Sequence, residues 1–244
     1  MSSQRPGSLA DATSRLTRKK RERRWRRTVW IAAGLAGIAL GALVVWLVWF
    51  SQVFTVTGVR VEGVSLLTAD EVEKAAQVPI GQQVVSLDVG PIAQRVAALA
   101  PVAAVEVSVS WSGEAKVLVR ERVAAFQRLE GATYTWVDSE GVPFRDTAEP
   151  DPSLVTVVAP APDTRLYQDV ATVIQALSAP VRERLVQVAA DSPDRIVIHL
   201  SGDAELIWGS ADESTLKVQV ATALMQTEAK TYDVSAPNAP ITRR

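Results

Sequence analysis

Residues Val29 to Phe50 are 22 consecutive positions without a charge. At about 1.5 Å rise per residue, a helix of that length covers roughly 33 Å, enough for a hydrocarbon core of about 30 Å. The pattern predicts a membrane-spanning helix over 29–50. A buried core helix is the alternative, and both the length and the charged flank argue against it. The period then changes. Phe54 to Gly63 alternates, with Val59 and Val61 on one face and Arg60 and Glu62 on the other, as in a strand. Thr68-Ala69-Asp70-Glu71 is a capping box opening a helix, since the hydroxyl and the carboxylate each satisfy an orphan amide. Val72, Ala75 and Ala76 give that helix a small apolar face. Asp88-Val89-Gly90-Pro91 opens a second helix with a stripe of Ile92, Val96 and Leu99, and Pro101 follows its end. Val105 to Trp111 alternates strictly, Ser112-Gly113 turns the chain, and Ala115 to Arg122 returns with Val117 and Val119 on one face. Residues 54–123 therefore read as a β-α-α-β-β domain.

Residues 124–236 read as a second domain. Phe126 to Leu129 and Tyr134 to Asp138 are short strands, and Ser139-Glu140-Gly141 turns into Val142-Pro143-Phe144. Arg145 to Ser153 reads as an acidic, Pro-containing loop. Leu154 to Val158 is a strand broken by Pro160 and Pro162. A helix follows, with Val170, Val173, Ile174 and Leu177 on one stripe, and stops near Pro180. Val186 to Ala190, Arg195 to Leu200 and Ala204 to Trp208 are three sequential strands separated by Asp/Ser/Gly turns. Ser210 with Glu213 reads as a second capping box, opening a helix that buries Leu216, Val220 and Leu224. Residues 237–244 read as a C-terminal tail. The fold class is α+β: one N-terminal transmembrane helix, the β-α-α-β-β domain, and a mixed β-sheet domain with flanking helices.

Charge adds a topology. The chain has 26 Lys+Arg against 27 Asp+Glu, a net −1. Split at residue 28, it is +8 before and −9 after, the latter dividing into −2 for 54–123 and −7 for 124–244. Nine basic residues from Arg15 to Arg27 precede the apolar run, and none follows until Arg60. A basic flank stays in the cytoplasm, so 1–28 reads as a basic cytoplasmic tail and 51–244 as extracytoplasmic, a single-pass type II arrangement. Trp25, Arg26, Arg27 and Trp30 mark one membrane interface, and Trp46 and Trp49 the other. The bulky end from Trp46 to Gln52 lacks a small-x-small cleavage site, which favours an uncleaved anchor over a signal peptide. The basic run serves as a topology signal, or attracts anionic lipid at about 1 kcal/mol per residue near the surface. It resembles no nucleic-acid reading motif. Ala33, Gly37 and Gly41, spaced by four, suit close helix–helix approach, though an Ala/Gly-rich segment gives such spacing by chance.

Candidate chemistry is sparse. There is no cysteine, hence no disulfide, thiolate metal site or cysteine nucleophile. The single histidine, His199, lies on the polar side of an alternating strand. No Gly-rich loop cradles a phosphate, and nothing implies a cofactor, metal or small-molecule substrate. One motif points to an enzyme. Ser214-Thr215-Leu216-Lys217 is an S-x-x-K tetrad, the spacing that puts an amine one helical turn from a nucleophilic hydroxyl in wall-peptide acyl transferases. K-T-G and S-D-N elements are missing, and Ser214 stands only 30 residues from the C-terminus. A membrane-anchored cell-wall acyl-transfer enzyme using Ser214 and Lys217 is therefore the runner-up. The plain alternative is an amphipathic helix whose lysine faces solvent or a carboxylate.

A family resemblance gathers these elements. Val59-Arg60-Val61-Glu62-Gly63, Leu87-Asp88, Pro101-Val102-Ala103-Ala104-Val105 and Val119-Arg120-Glu121-Arg122, behind one anchor with a basic head, resemble the FtsQ/DivIB cell-division proteins, whose unit next to the membrane is a POTRA domain. Trp111 is followed by Ser112 where that family often has Pro, which leaves the local turn type open. Tyr134 to Phe144, Ile207-Trp208-Gly209-Ser210 to Lys217, and Thr231 to Ser235 with Pro237 are similar to the family's β domain. The resemblance covers about 190 residues in the expected order. It implies a non-catalytic divisome scaffold at the septum. Such a scaffold binds the FtsB/FtsL pair outside the membrane and helps recruit or regulate the septal synthases FtsW and FtsI. It also implies that the last strand lies at a sheet edge where the partner adds a strand. By position this falls on Thr231, Tyr232, Asp233, Val234, Ser235 and Ala236, with Pro237 and Pro240 ending the edge. For Tyr232 and Val234, core packing is an equal reading. A POTRA-bearing secretion component is a further alternative, against which stand a single POTRA unit and no barrel repeat. Arg outnumbers Lys 20 to 6, which is compatible with an actinobacterial member.

Overall fold

The computed structural model describes residues 9–50, 54–160 and 163–243. Helix α1 (Leu9–Phe50) is continuous over 42 residues and takes in both the basic run and the apolar stretch. Its segment Thr28–Leu47 is the one helix among the described residues long and apolar enough to cross a membrane, and none of it is buried. The described part of Met1–Gly58, with Pro79–Asp88 and Val109–Ala115, forms one compact unit. Val59–Val78, Val89–Ser108 and Lys116–Arg244 form the other.

The first domain after α1 has the expected β-α-α-β-β order: β1 (Gly58–Glu62), α2 (Ala69–Ala76), α3 (Val89–Ala97), β2 (Val102–Val109) and β3 (Glu114–Glu121). Its sheet runs β1-β3-β2. The capping box of α2 is formed: the Glu71 amide donates to Thr68 Oγ1 at 3.2 Å, and the Thr68 amide donates to Glu71 Oε2 at 2.7 Å. Val72 and Ala76 on α2, Ile92 and Val96 on α3, and Val117 and Val119 on β3 are buried, following the periods read from the chain. Strand β2 begins three residues before its predicted start and ends at Val109, so Trp111 lies in the turn and is exposed.

The second domain is built on a nine-stranded mixed sheet. Its strands are β4 (Ala124–Glu130), β5 (Thr133–Asp138), β6 (Pro143–Thr147), β7 (Thr156–Val158), β8 (Leu185–Ser192), β9 (Arg195–Leu200), β10 (Ala204–Gly209), β11 (Thr231–Asp233) and β12 (Ile241–Arg243). Their order is β12-β11-β10-β9-β8-β7-β4-β5-β6. Pairs β4/β7, β7/β8 and β10/β11 are parallel and the rest antiparallel. Helices α4 (Thr164–Ala176), α5 (Ala179–Arg184) and α6 (Ser214–Leu224) flank it, with α4 against β4, β8 and α6. Phe126, Tyr167, Ile196, Ile198, Trp208 and Tyr232 are fully buried in one core. The Phe126 and Tyr167 rings meet edge-on at 5.9 Å, a favoured aromatic geometry.

Three local expectations are corrected. The presumed loop from Arg145 carries β6 as far as Thr147, because its backbone pairs antiparallel with β5. Helix α4 does stop near Pro180, at Ala176; Pro180 itself sits in the first turn of the separate α5, where a missing N–H costs nothing. The Ser210–Glu213 box does not form. Glu213 is left-handed (φ 55°) and α6 starts at Ser214, which turns Lys217 inward, 2% exposed, and leaves Leu216 at 37%. Val220 and Leu224 do pack against the core, partly buried. Finally, the supposed tail contains β12, which pairs with β11.

Candidate partner-binding edge

The β10–β11–β12 end of the sheet carries the residues assigned to partner binding. Strand β11 lies parallel to β10, with Glu205 opposite Thr231, Leu206 opposite Tyr232 and Ile207 opposite Asp233. The Glu205 amide donates to the Lys230 carbonyl at 2.7 Å, and the Val234 amide to the Ile207 carbonyl at 3.0 Å. On its other side β11 pairs antiparallel with β12: Thr231 opposite Arg243, Tyr232 opposite Thr242, Asp233 opposite Ile241. The edge strand is thus β12, and β11 is internal. The free side of residues 231–233 is occupied by β12.

The six assigned residues divide. Tyr232 and Val234 are buried in the core, so the core reading holds for both. Tyr232 Oη donates to the Thr227 carbonyl at 2.8 Å and accepts from the Ala229 amide at 3.1 Å, which ties the loop after α6 to the strand. Thr231 and Asp233 are half-buried, and Ser235 and Ala236 are exposed beyond the strand. Asp233 Oδ1 accepts from both the Ser235 amide and the Ser235 hydroxyl, at 3.0 and 2.6 Å. The Ser235 amide therefore closes a local turn and is no ladder donor. Pro237 is buried; Pro240 is exposed immediately before β12. Beside the edge lies a groove of about 740 Å³ lined by Arg184, Met225, Thr227, Glu228, Lys230 and Tyr232. Neither Arg184 nor the β12 residues had a signal strong enough to find: three residues are too few for an alternation, although Ile241-Thr242 is a β-branched pair.

The serine–lysine tetrad is structural here. Ser214 Oγ donates to the Ala211 carbonyl at 2.7 Å and accepts from Trp208 Nε1 at 3.2 Å. Lys217 Nζ turns instead to the Ser210 carbonyl, at 2.8 Å. Burial pulls the Lys217 amine below its usual pKa. The hydroxyl and the amine each hold the 209–213 turn, and Ser214 is itself buried. His199 lies across from Glu205, its Nδ1 3.5 Å from Oε1.

Along the membrane helix Trp25, Trp30 and Trp46 are exposed. The side chains of Arg26, Arg27 and Trp49 lie outside the described residues. Ala33 is exposed, and a Cβ built on Gly37 or Gly41 would meet nothing within 4 Å.

At the opposite end of the large sheet, a polar contact joins residue 122 to the sheet domain. Asp138 Oδ2 accepts from Arg122 Nη1 at 2.5 Å, while Oδ1 accepts from the Glu140 and Val142 amides at 2.9 and 2.8 Å. Next to Arg122, the Glu121 carboxylate accepts from the Ser65, Leu66 and Leu67 amides at 2.8–2.9 Å. Burial pushes the Glu121 carboxyl up. The three amides outweigh it and, with the Arg145 guanidinium, hold it below the usual carboxylate range.

Comparison with known proteins decides the family. The description "POTRA domain, FtsQ-type" matches residues 54–122, and "Cell division protein FtsQ/DivIB, C-terminal" matches residues 125–236. A cell division protein FtsQ from Streptomyces bingchenggensis is 33% identical over 235 residues, covering 91% of this chain and 88% of that protein. The chain belongs to the FtsQ/DivIB family. The FtsQ of Streptomyces venezuelae is 33% identical, covering 88% of this chain and 83% of its own. That of Mycobacteroides abscessus is 28% identical, covering 86% and 67%. The resemblance is thus to actinobacterial FtsQ proteins, in an α+β fold with a POTRA region and a large mixed sheet. Family and apolar helix together describe a membrane-anchored cell-division protein, from a family of division proteins and not of known enzymes. The edge strand β12 lies beyond the matched part of the β domain.

Proposed function

We propose that this FtsQ-type chain is a non-catalytic, bitopic scaffold of the division septum. Its N-terminus is cytoplasmic and residues 51–244 lie outside. Its distal domain binds the FtsB/FtsL pair, and through that pair it helps recruit or regulate the septal synthases FtsW and FtsI. The observation that carries the reading is the uncovered β12 edge, flanked by a groove with Arg184 and Lys230 on its walls. An extended partner segment adding to β12 gains main-chain hydrogen bonds, and its alternate side chains reach the groove. Thr231, Asp233, Ser235 and Ala236 act as the support of that edge, and Ile241, Thr242 and Arg243 as the strand the partner meets.

The experiment is a truncation after Pro240 in the full chain, reconstituted in nanodiscs, with binding of purified FtsB/FtsL measured. Affinity falls by tenfold or more, about 1.4 kcal/mol, while the remaining fold persists. Unchanged affinity would remove the edge from consideration. Because the chain lacks cysteine, a Ser201→Cys variant reports topology: an impermeant thiol reagent labels it in intact cells whose outer barrier has been opened, and no labelling would reverse the orientation.

A further inference from the structure

The unit that contains the membrane helix also contains an uncharged, partly aromatic surface on the POTRA domain. Where the chain resumes after α1, Val56 is clasped by the 79–88 loop: its amide donates to the Gln82 carbonyl and its carbonyl accepts from the Gly81 amide, both at 2.8 Å. The Thr57 amide donates to the Gly113 carbonyl at 2.8 Å. Gly113 sits at φ +88°, and a Cβ there would come within 2.1 Å of the Thr55 carbonyl oxygen. The turn after β2 is thus pressed onto the segment that leads from α1 into β1. Three loops are bound together at this end.

The side chains they present are apolar and open. Trp111 is 67% exposed, Ile80 59% and Val85 40%. The Phe54 ring meets Trp111 edge-on at 6.4 Å. Residues 54–58, 79–87 and 109–113 hold no Asp, Glu, Lys or Arg. At the chain's 22% charged share, about four would be expected. The outer body is otherwise acidic, so the gap is local. Its position explains it. Only four residue steps separate Phe50, the end of α1, from Phe54, a reach of at most about 14 Å. Whatever this end of the domain faces, it lies close to the membrane surface from which the chain emerges. A tryptophan with an apolar body and a polar N–H prefers the headgroup level, and charges there would have to be desolvated.

We propose that Phe54, Ile80, Val85 and Trp111 form a lipid-docking surface that seats this end of the POTRA domain in the headgroup layer of the phospholipid bilayer crossed by α1. The inference rests on Thr28–Leu47 spanning that bilayer and is independent of partner binding at β12. Docking turns a tether into a fixed mount, so the domain's height above the membrane is set by its own loops.

The test uses the full chain in nanodiscs without any partner protein. Single Ser112→Cys, Ser201→Cys and Leu40→Cys variants carry a fluorescent label. Lipids brominated on their acyl chains quench the label at position 40, within the helix, and also the one at 112, but not the one at 201. Adding Trp111→Ser and Ile80→Ser, both at exposed positions, abolishes the quenching at 112 while that at 40 persists. Quenching at 40 with none at 112 would overturn the proposal. So would quenching at 112 that survives the double substitution, since it would reflect tethering alone. A protein occupant of the surface would leave 112 unquenched in these partner-free discs, and the lipid assignment would fail.

Discussion

The two ends of the nine-stranded sheet are built differently. At the β6 end, Pro143 removes a donor, and Arg145 and Asp146 put charges along the strand. The Trp136 and Phe144 rings meet edge-on at 6.2 Å, with the Arg145 guanidinium 4.9 Å over the indole. Thr135 Oγ1 donates to Asp146 at 2.7 Å, and Gly141 (φ +75°) brings the preceding turn against the Thr164 carbonyl. Proline, charge and a register shift are the means by which proteins close an edge, and the shift is present between Trp136 and Val137. At the β12 end there are three residues, all exposed, and no hydrogen bond from their side chains is among those described. The contrast teaches that edge exposure alone is uninformative. One edge is protected and braced to the POTRA domain; the other is short, plain and beside a groove.

The largest effect belongs to the braced end. Asp138→Ala takes away the 2.5 Å partner of the partly buried Arg122, which keeps only Glu140 at 3.8 Å, and the acceptor of two amides, and should cost about 2–4 kcal/mol of unfolding free energy, as expected for stranding a charged donor and two amides. A denaturant titration giving under about 1 kcal/mol would show that this end is not held by the joint. At the other end, Tyr232→Phe leaves the Thr227 carbonyl and the Ala229 amide without their partner. A loss of about 1–2 kcal/mol in the same titration is expected, because β11, unlike β12, is part of the core.

Smaller still is the response of Glu121 to pH. Its folded pKa is depressed, so its stabilisation is complete above the unfolded value and lost as pH falls through the folded one. The amide NMR shifts of Ser65, Leu66 and Leu67 should titrate together with a midpoint below the ordinary Glu value, while those of β12 stay unchanged. A midpoint above that value would contradict the three-amide clasp. The smallest stability effect is that of removing β12 by truncation after Pro240, within about 1 kcal/mol, in contrast to the tenfold fall in partner affinity proposed for the same truncation. A loss as large as that of Asp138→Ala would erase the difference between the two ends.

Much of this was legible in the chain where a period or a cap is local. The Thr68–Glu71 box, Ile92 and Val96 of the α3 stripe, and the strand Arg195–Leu200 all stand where the periods place them, while Leu99 falls beyond the end of α3. Ser210–Glu213 has the same letters as a capping box and fails, because the turn after β10 requires a left-handed Glu213 before the helix can start. Leu216 and Lys217 exchange their expected environments for the same reason: the helix face is set by what packs on Trp208 and Ala221, not by hydropathy. A lysine can take a core position when its stem is covered and its ammonium finds a carbonyl, here that of Ser210.

The β11–β12 end of the sheet shows the division most clearly. Thr231 to Asp233 was correctly read as a strand near the end of the domain, but its place in the sheet was not, since strand order depends on pairing between distant segments. By itself the sequence determined the membrane span, the opposition of a basic head to an acidic body, and the two-domain order, all of which rest on composition and short-range period. Only the tertiary structure decided that the last residues return as β12, that Tyr232 and Val234 face inward, and that Arg122 meets Asp138. Those outcomes depend on which distant backbone and side-chain groups satisfy one another, and no local period encodes that.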